Sequence, residues 1–345
     1  MKILALEATN RCNRACRHCF RNRADPRQDL PWETAEQILQ EAKGLGIRIV
    51  CITGGELALY PHLGDLLQKI AASGFHFTLV SNGYRFREDV LPLLLAPEVK
   101  ARLALVCLSL DGATAATHDG LRGKESFAEV VEAAALCRQH RLPLRLKSVI
   151  TALNQPELSL LALMGAQLGA RQHEFLFPMP TPTLIREGLL PPPEELKRVA
   201  RFIINKLATA VTTKITVEGY IPEGELLNCG TVMNDLNVDY QGHLILCCQL
   251  SHVMMGDGAP TRFGKELVAD LQRVSLKEGI IRQYRLAAKL MENKLKSTGK
   301  PPGLSQTPCH WCLYHFGKLD WLKDYPDSPW ARELLPDSPE AAPCF

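Results

Sequence analysis

The sequence predicts an α/β fold, in which six strand–helix units form a partial barrel and a small cysteine-rich α+β region follows. Two observations predict it. Short apolar runs alternate with helical patterns over residues 1–180, and half of the 12 cysteines lie after residue 211, among short apolar runs and scattered glycines. Strands separated by helices of this length form parallel pairs through right-handed crossovers. In such folds the chemistry lies in the loops after the carboxyl ends of the strands.

The first unit shows how each element is recognised. An apolar run at 3–8 predicts a strand, and a helix follows at 31–43, which begins at Pro31 and stops at Gly44 and Gly46. The other strands are predicted at 47–52, 75–80, 102–110, 142–150 and 173–177, and the other helices at 62–73, 86–95, 125–140 and 156–168. Six such units indicate a partial (β/α)6, TIM-like barrel.

The rhythm of strands and helices breaks after the sixth strand. Six prolines lie between 178 and 193, a helix is predicted at 193–208, and short strands with most of the late cysteines follow. We therefore divide the chain into a barrel at 1–210, a cysteine-rich domain at 211–320 and a C-terminal tail at 321–345.

The composition is that of an ordinary globular protein. Of 345 residues, 46% are hydrophobic and 22% charged, which excludes disordered and fibrous classes. The 40 Lys and Arg residues against 37 Asp and Glu leave a net charge of +3, too small to indicate a nucleic-acid partner. No apolar run approaches the ~18 residues that span a bilayer, and Glu7 comes too early for a signal peptide. We expect a cytoplasmic protein with neither a nucleic-acid nor a membrane partner.

Three cysteines crowd the loop after the first strand. Because the cytosol is reducing, clustered cysteines there indicate metal ligands or catalytic thiols. The thiolates of Cys12, Cys16 and Cys19 can hold three irons of a four-iron cluster, which leaves the fourth iron free for a small molecule. The alternative is a structural zinc completed by His18, but His18 lies between two of the cysteines and cannot easily turn toward the same metal.

Glycine-rich polar motifs follow the next three strands. They are Thr53-Gly54-Gly55-Glu56, Ser81-Asn82-Gly83 and Ser109-Leu110-Asp111-Gly112. Together with the C-x3-C-x2-C loop, this order of motifs resembles the radical S-adenosylmethionine (SAM) superfamily over residues 1–180. Arg122 and Gly123, in the stretch after the third motif, also resemble a recurring segment of the family.

The resemblance implies a [4Fe-4S] cluster on the cysteine triad, with SAM as its fourth ligand. In the family the reduced cluster cleaves SAM, and the 5′-deoxyadenosyl radical takes a hydrogen atom from a C–H bond. Glu56 would contact the methionine amino group, and Asp111 would accept hydrogen bonds from the ribose. The residues implied in the SAM pocket are Gly54, Gly55, Glu56, Ser81, Asn82, Ser109 and Asp111.

The family needs a low-potential reductant such as flavodoxin or ferredoxin. Five arginines surround the triad, and they are either a docking face for an acidic reductant or an ordinary solvated loop face. They are Arg11, Arg14, Arg17, Arg21 and Arg23.

The late cysteines resemble a shortened SPASM domain, called a twitch domain. Cys229, Gly242 and Cys247 form a C-x12-G-x4-C pattern, and Cys309 and Cys312 form C-x2-C. Lys318 stands where a full SPASM domain has its next cysteine. The resemblance implies that Cys229, Cys247, Cys309 and Cys312 hold an auxiliary [4Fe-4S] cluster, and a structural zinc is the alternative.

The other cysteines have no cluster assigned to them. Cys248 and Cys344 are spare ligands, inert thiols or hydrogen-atom donors to a substrate radical, as in peptide epimerases of the superfamily. Cys51, Cys107 and Cys137 lie in apolar strands or a helix, where buried inert cysteines are common.

The resemblance favours modification of a peptide or protein by epimerisation or crosslinking. The chain begins directly with its first strand, without the leader-binding domain of many peptide maturases, which lowers that expectation. The alternative is a small-molecule radical dehydrogenase or an enzyme of cofactor biosynthesis. A non-catalytic iron–sulfur protein is a remote alternative, because the N-terminal site lacks a nearby fourth cysteine.

Overall fold

A single sheet of ten strands organises the molecule. The computed structural model describes residues 3–223, 226–254, 256, 258–297 and 304–335. The strands are β1 (Ile3–Thr9), β2 (Ile49–Gly54), β3 (His76–Ser81), β4 (Leu103–Ser109), β5 (Leu144–Val149), β6 (Gln172–Leu176), β7 (Lys214–Glu218), β8 (Asp235–Val238), β9 (His243–Ile245) and β10 (Leu267–Asp270). Their order in the sheet is β10-β9-β8-β1-β2-β3-β4-β5-β6-β7.

Helices fill the connections between the strands. They are α1 (Trp32–Gly44), α2 (Leu63–Ala72), α3 (Leu91–Leu95), α4 (Pro97–Lys100), α5 (Ala115–Arg122), α6 (Ser126–Gln139), α7 (Leu158–Gln167), α8 (Pro182–Arg186), α9 (Pro193–Phe202), α10 (Ala208–Ala210), α11 (Thr231–Asn234), α12 (Leu276–Lys296), α13 (Pro308–His315) and α14 (Pro329–Leu334). In the described part of the chain, no helix is long and apolar enough to cross a membrane.

The predicted α/β fold class is confirmed. Strands β1 to β6 lie within two residues of the predicted runs, and each pairs in parallel with the next. On one face of the sheet, apolar side chains such as Leu4 and Leu146 are completely buried under the helices. The opposite face carries polar side chains, because successive residues of a strand point to opposite faces.

The sheet continues past residue 210. Strand β7 pairs in parallel with β6, and β8 pairs in parallel with the other edge of the barrel at β1. Strands β9 and β10 then extend the sheet in antiparallel fashion. The C-terminal part of the chain therefore supplies the strands outside both β1 and β6, and the domain division at 210 stays a prediction.

The C-terminal part also contains a long helix where we expected short strands. Helix α12 has 21 residues, and the Ser275 hydroxyl caps it by accepting a hydrogen bond from the Glu278 N–H at 3.2 Å. Serine followed three residues later by glutamate is a capping-box pattern, so the sequence carried a signal for this helix. The predicted helix at 193–208 divides into α9, a π turn at Ile203–Leu207 and α10.

Candidate active site

The cysteine triad lies in the loop at residues 10–28, which we call the cysteine loop. Burial, together with the smaller effect of the neighbouring charges of Cys16 and Cys19, raises the pKa of Cys12 to about 11. Cys16 is buried, whereas Cys12 and Cys19 are partly buried. The structure thus brings together the three predicted ligands of the N-terminal cluster.

His18 turns away from this triad. Its Nε2 lies 3.1 Å from Asp111 Oδ2, and both side chains are buried. Within the described residues, no three His, Cys, Asp or Glu side chains are arranged to hold one metal ion. A four-iron cluster does not need such convergence, because each thiolate binds a different iron.

All five arginines around the triad have partners within the protein. These contacts fix the cysteine loop to β1, to α6 and to the turn after α8, and the docking of an acidic reductant on this face stays a prediction. The partners are Asp29 for Arg11 (3.0 and 2.7 Å), Glu129 for Arg14 (2.5 Å), Glu187 for Arg17, Glu7 for Arg21 (2.6 Å) and the Cys16 carbonyl for Arg23 (2.5 Å).

Two glycines bring the end of β2 against the start of the cysteine loop. The Gly55 N–H donates to the Thr9 carbonyl at 2.7 Å, and the Glu56 N–H donates to the Arg11 carbonyl at 2.8 Å. A Cβ on Gly54 would lie 2.3 Å from the Thr9 oxygen, and one on Gly55 would lie 2.1 Å from the Arg11 oxygen. Only glycine permits this approach.

Glu56 links the loop after β2 to the loop after β3. Its carboxylate accepts hydrogen bonds from the Ser81 hydroxyl at 2.8 Å and from the Asn82 N–H at 2.7 Å. Glu56 is completely buried, and this burial raises its pKa to about 7 although the hydrogen bonds oppose the shift. The Asn82 side-chain amide in turn donates to Cys12 Sγ at 3.9 Å.

Asp111 links the loop after β4 to the cysteine loop. One carboxylate oxygen contacts Arg122 and His18, and the other accepts a hydrogen bond from the Val149 N–H at 2.7 Å. Arg122 also donates from Nη1 to Cys16 Sγ at 3.9 Å. Ser109 is half-buried and lies beside Lys147 on the neighbouring strand. The motifs after β2, β3 and β4 therefore converge on the cysteine loop.

A charged cluster on the inner face of the barrel was missed in the sequence. Lys147 Nζ lies 2.8 Å from Glu174 and 3.4 Å from Glu218. Burial alone would lower the pKa of Lys147, but these two carboxylates raise it and keep the ammonium charged. The signal was the alternation of leucine with Arg145 and Lys147 within the strand predicted at 142–150.

Three further thiols lie at this inner face. Cys51 and Cys107 interact electrostatically with Lys147, and Cys248 interacts with Glu7, Arg21 and Glu218. We expected Cys51 and Cys107 to be inert buried residues, and their burial does raise the pKa of each thiol. Cys344 lies outside the described residues.

The structure also gathers the four cysteines predicted to hold the auxiliary cluster. Cys309 and Cys312 lie one turn apart on α13. Burial raises the pKa of Cys309 well above its usual value, and the charges of Cys229 and Cys312 raise it further. The pKa of Cys247 is also raised well above its usual value, by a hydrogen bond with Cys248, by burial and by the charge of Cys309.

An ion pair stands at the position of the missing SPASM cysteine. Lys318 Nζ lies 2.5 Å from Glu266 Oε1, and both side chains are almost completely buried. Lys318 also donates to the Arg262 carbonyl at 3.0 Å. This position is thus occupied by a structural contact between the end of α13 and the start of β10.

Comparison with known proteins identifies relatives of part of this chain. Residues 6–159 match the model of the radical SAM superfamily. The chain is 26% identical to the AdoMet-dependent heme synthase of Methanosarcina barkeri, over 52% of this chain and 51% of that protein. It is 31% identical to the mycofactocin maturase MftC of Mycolicibacterium smegmatis, over 48% of this chain and 42% of MftC. It is 28% identical to the subtilosin biosynthesis protein AlbA of Bacillus subtilis, over 49% of this chain and 38% of AlbA. The chain spans about half or less of the length of these relatives.

Solved structures share the fold. SuiB of Streptococcus suis bound to S-adenosylmethionine matches with a TM-score of 0.63 and 16% identity, over 81% of this chain and 67% of that chain. The structure of anSMEcpe with bound AdoMet matches with a TM-score of 0.62 and 16% identity, over 83% of this chain and 82% of that chain. Residues 6–159 of this chain are therefore a radical SAM domain.

Proposed function

We propose that this protein abstracts a hydrogen atom from a C–H bond of a peptide or protein held at the inner face of the barrel. The observation that supports this most is the convergence of three strand-end motifs on the cysteine loop. Two of the converging side chains, Asn82 and Arg122, donate hydrogen bonds to the cysteine sulfurs. Such donors around the ligands are typical of metal sites.

The residues present fit a four-iron cluster with an open iron. Cys12, Cys16 and Cys19 would each bind one iron, and His18 does not compete because it is bonded to Asp111. When bound, the reduced cluster supplies the electron that cleaves SAM to methionine and the 5′-deoxyadenosyl radical. We propose flavodoxin or ferredoxin as the source of that electron.

We propose that SAM binds beside this loop, at the carboxyl ends of β2, β3 and β4. Gly54 and Gly55 keep the backbone close to the cysteine loop, and Glu56 offers a carboxylate to the methionine ammonium. An ammonium nearby would offset the cost of burying this carboxylate. The residues assigned to the pocket are Gly54, Gly55, Glu56, Ser81, Asn82, Ser109 and Asp111.

We assign the auxiliary [4Fe-4S] cluster to Cys229, Cys247, Cys309 and Cys312. Their mutual electrostatic interactions support this assignment. Four thiolates complete such a cluster, so it would pass electrons or shape the substrate site without binding substrate. The Lys318–Glu266 ion pair supports a single auxiliary cluster, because it fills the position of the next ligand.

The charges of the inner face support a peptide as substrate. The positive and negative charges of the side chains there are equal in number. A surface without net charge suits the uncharged amides of a peptide backbone better than a highly negative polyphosphate. The names of MftC, a maturase, and of AlbA, a bacteriocin biosynthesis protein, agree with this proposal. The balanced set consists of Arg21, Arg145 and Lys147 with Glu7, Glu174 and Glu218.

Cys248 is our candidate for the hydrogen-atom donor in an epimerisation. Its charge interacts with Arg21, Glu7 and Glu218, which places the thiol among the side chains of the inner face. The S–H bond would break as a new C–H bond forms on the substrate radical. One electron from the reductant and one proton would then restore the thiol.

The test uses the anaerobically reconstituted, dithionite-reduced protein. We expect about eight irons per chain, falling to about four in the Cys12→Ala/Cys16→Ala/Cys19→Ala variant. The intact protein should convert SAM to 5′-deoxyadenosine, and this variant should not. Equal 5′-deoxyadenosine in both proteins would refute the proposal. Deuterium in 5′-deoxyadenosine after incubation with a labelled candidate peptide would identify the substrate.

A further inference from the structure

We infer that Arg122, oriented by Asp111, is a positioning residue that donates a hydrogen bond to the Cys16 thiolate and raises the reduction potential of the N-terminal cluster. This inference rests on the proposed function, because it assumes a cluster at Cys12, Cys16 and Cys19. It adds the support of the cluster to the place of Asp111 in the proposed SAM pocket.

Arg122 lies against the cysteine loop. It is the last residue of α5, and its guanidinium Nη1 lies 3.9 Å from Cys16 Sγ. The helix stops there because Gly123 adopts a φ of +102°, which a side chain would disfavour. The Arg17 N–H of the cysteine loop donates to the Leu121 carbonyl at 2.9 Å. The end of α5 is thus held against the loop by its backbone as well as by Arg122.

Both carboxylate oxygens of Asp111 have partners within the protein. Arg122 and His18 share one carboxylate oxygen, and the Val149 N–H occupies the other at 2.7 Å. Asp111 is completely buried. Burial alone would raise its pKa, but the Arg122 guanidinium and His18 hold that pKa well below its usual range. Asp111 therefore stays an anion and fixes the direction of the guanidinium.

The positive charge of Arg122 favours the reduced state of the cluster. Reduction adds a negative charge to an iron–sulfur cluster, and hydrogen bonds to its sulfur ligands set its reduction potential. A guanidinium beside a thiolate stabilises that added charge, and burial strengthens the effect. The side-chain amide of Asn82 is placed similarly at Cys12 Sγ, at 3.9 Å.

The experiment is a redox titration followed by electron paramagnetic resonance on the reconstituted full chain. The signal of the N-terminal cluster is identified as the one that changes on addition of SAM and is absent in the triple cysteine variant. Arg122→Gln should lower the midpoint potential of that signal, and Arg122→Lys, which keeps the charge, should lower it less. Arg11→Gln is the matched control, because Arg11 lies in the same loop and its guanidinium contacts Asp29 and the Leu59 carbonyl, away from α5.

Three outcomes decide the matter. A lowered midpoint in Arg122→Gln, with an unchanged control, supports the inference. An unchanged midpoint overturns it, including the case in which only the affinity for SAM falls. If Arg122→Gln retains no iron, the midpoint of Arg122→Lys decides in the same way. Absence of the SAM-dependent signal from the wild-type protein would instead mean that the proposed function is wrong.

Discussion

At the residue scale, the contact between Gly55 and the Arg11 carbonyl sets how closely β2 and the cysteine loop can approach. We expect Gly55→Ala to destabilise the protein by roughly 1–3 kcal/mol, because the new Cβ would lie 2.1 Å from that oxygen. Retention of iron at the N-terminal cluster should fall as well. Chemical denaturation and iron analysis check both effects.

Gly44→Ala is the control for this prediction. A Cβ at Gly44 meets nothing within 4 Å, and this glycine closes the helix α1. The control should therefore keep the stability and iron content of the wild-type protein. Equal behaviour of the two variants would show that the close approach after β2 has no energetic importance.

Because the pKa of Glu56 is raised in the folded protein, we expect the free energy of unfolding to depend on pH. Its pKa in the folded, SAM-free protein is raised to about 7 from 4.5, so the unfolded chain loses this proton at lower pH. The stabilisation of the fold is complete below pH 4.5 and is lost as the pH rises through about 7. The loss should be on the order of 3 kcal/mol. Denaturation curves of wild type and Glu56→Gln across this window test it, since the glutamine variant should lack this part of the slope. Parallel slopes would contradict the role of Glu56.

Single residues were predictable where a motif fixes their place in the chain. The triad and the strand-end motifs were found in this way, because their spacing follows the strands. The partners of Asp111 were not predictable, since Arg122 reaches it only after α5 has formed. The order of motifs in the sequence identifies the loop that holds the Asp111 carboxylate. It does not identify the groups that contact each of its oxygens.

At the scale of elements, the six barrel strands were predicted within two residues, because each is an apolar run bounded by a helix. Helix α12 was not predicted, although its 21 residues follow the capping residue Ser275, because the cysteines and glycines around it are typical of short strands and turns. The polar inner face was also missed. The strand at 142–150 was predicted as one of a series of apolar runs, but β5 carries Arg145 and Lys147 on its inner face.

The ion pair between the end of α13 and the start of β10 gives a prediction at this scale. Lys318→Met leaves the Glu266 carboxylate buried without its cation, so we expect a loss of about 3–5 kcal/mol. The double variant Lys318→Met/Glu266→Met should recover most of that loss, because no charge remains buried. Chemical denaturation of the two variants measures this. A double variant as unstable as the single one would show that the charges themselves are not the cause.

At the scale of the whole molecule, the C-terminal part completes the sheet on both sides of the barrel. A fragment of residues 1–210 would leave the outer edges of β1 and β6 without β8 and β7. Open parallel edges pair with other chains, so we expect this fragment to aggregate. Size-exclusion chromatography and circular dichroism test this against the full chain. A soluble, cooperatively folding fragment would instead support an independent domain at 1–210.

The cysteine loop is itself closed by the C-terminal part of the chain. Arg21 forms a β-bridge with Val253, and the Asn22 N–H donates to the His252 carbonyl at 2.7 Å. The ring nitrogens of His252 lie 2.7 Å from Asp25 and 3.0 Å from Asp239. Asp25 belongs to the cysteine loop and Asp239 follows β8, so this histidine joins the two parts.

This closure has a consequence during synthesis on the ribosome. The triad emerges among the first residues, whereas the segment that closes over it is made more than 200 residues later. At about 5–20 residues per second, this interval lasts on the order of 10–50 s. The nascent loop therefore lacks its contacts with His252 and Val253 throughout that time, and gains them only when the C-terminal part has been made.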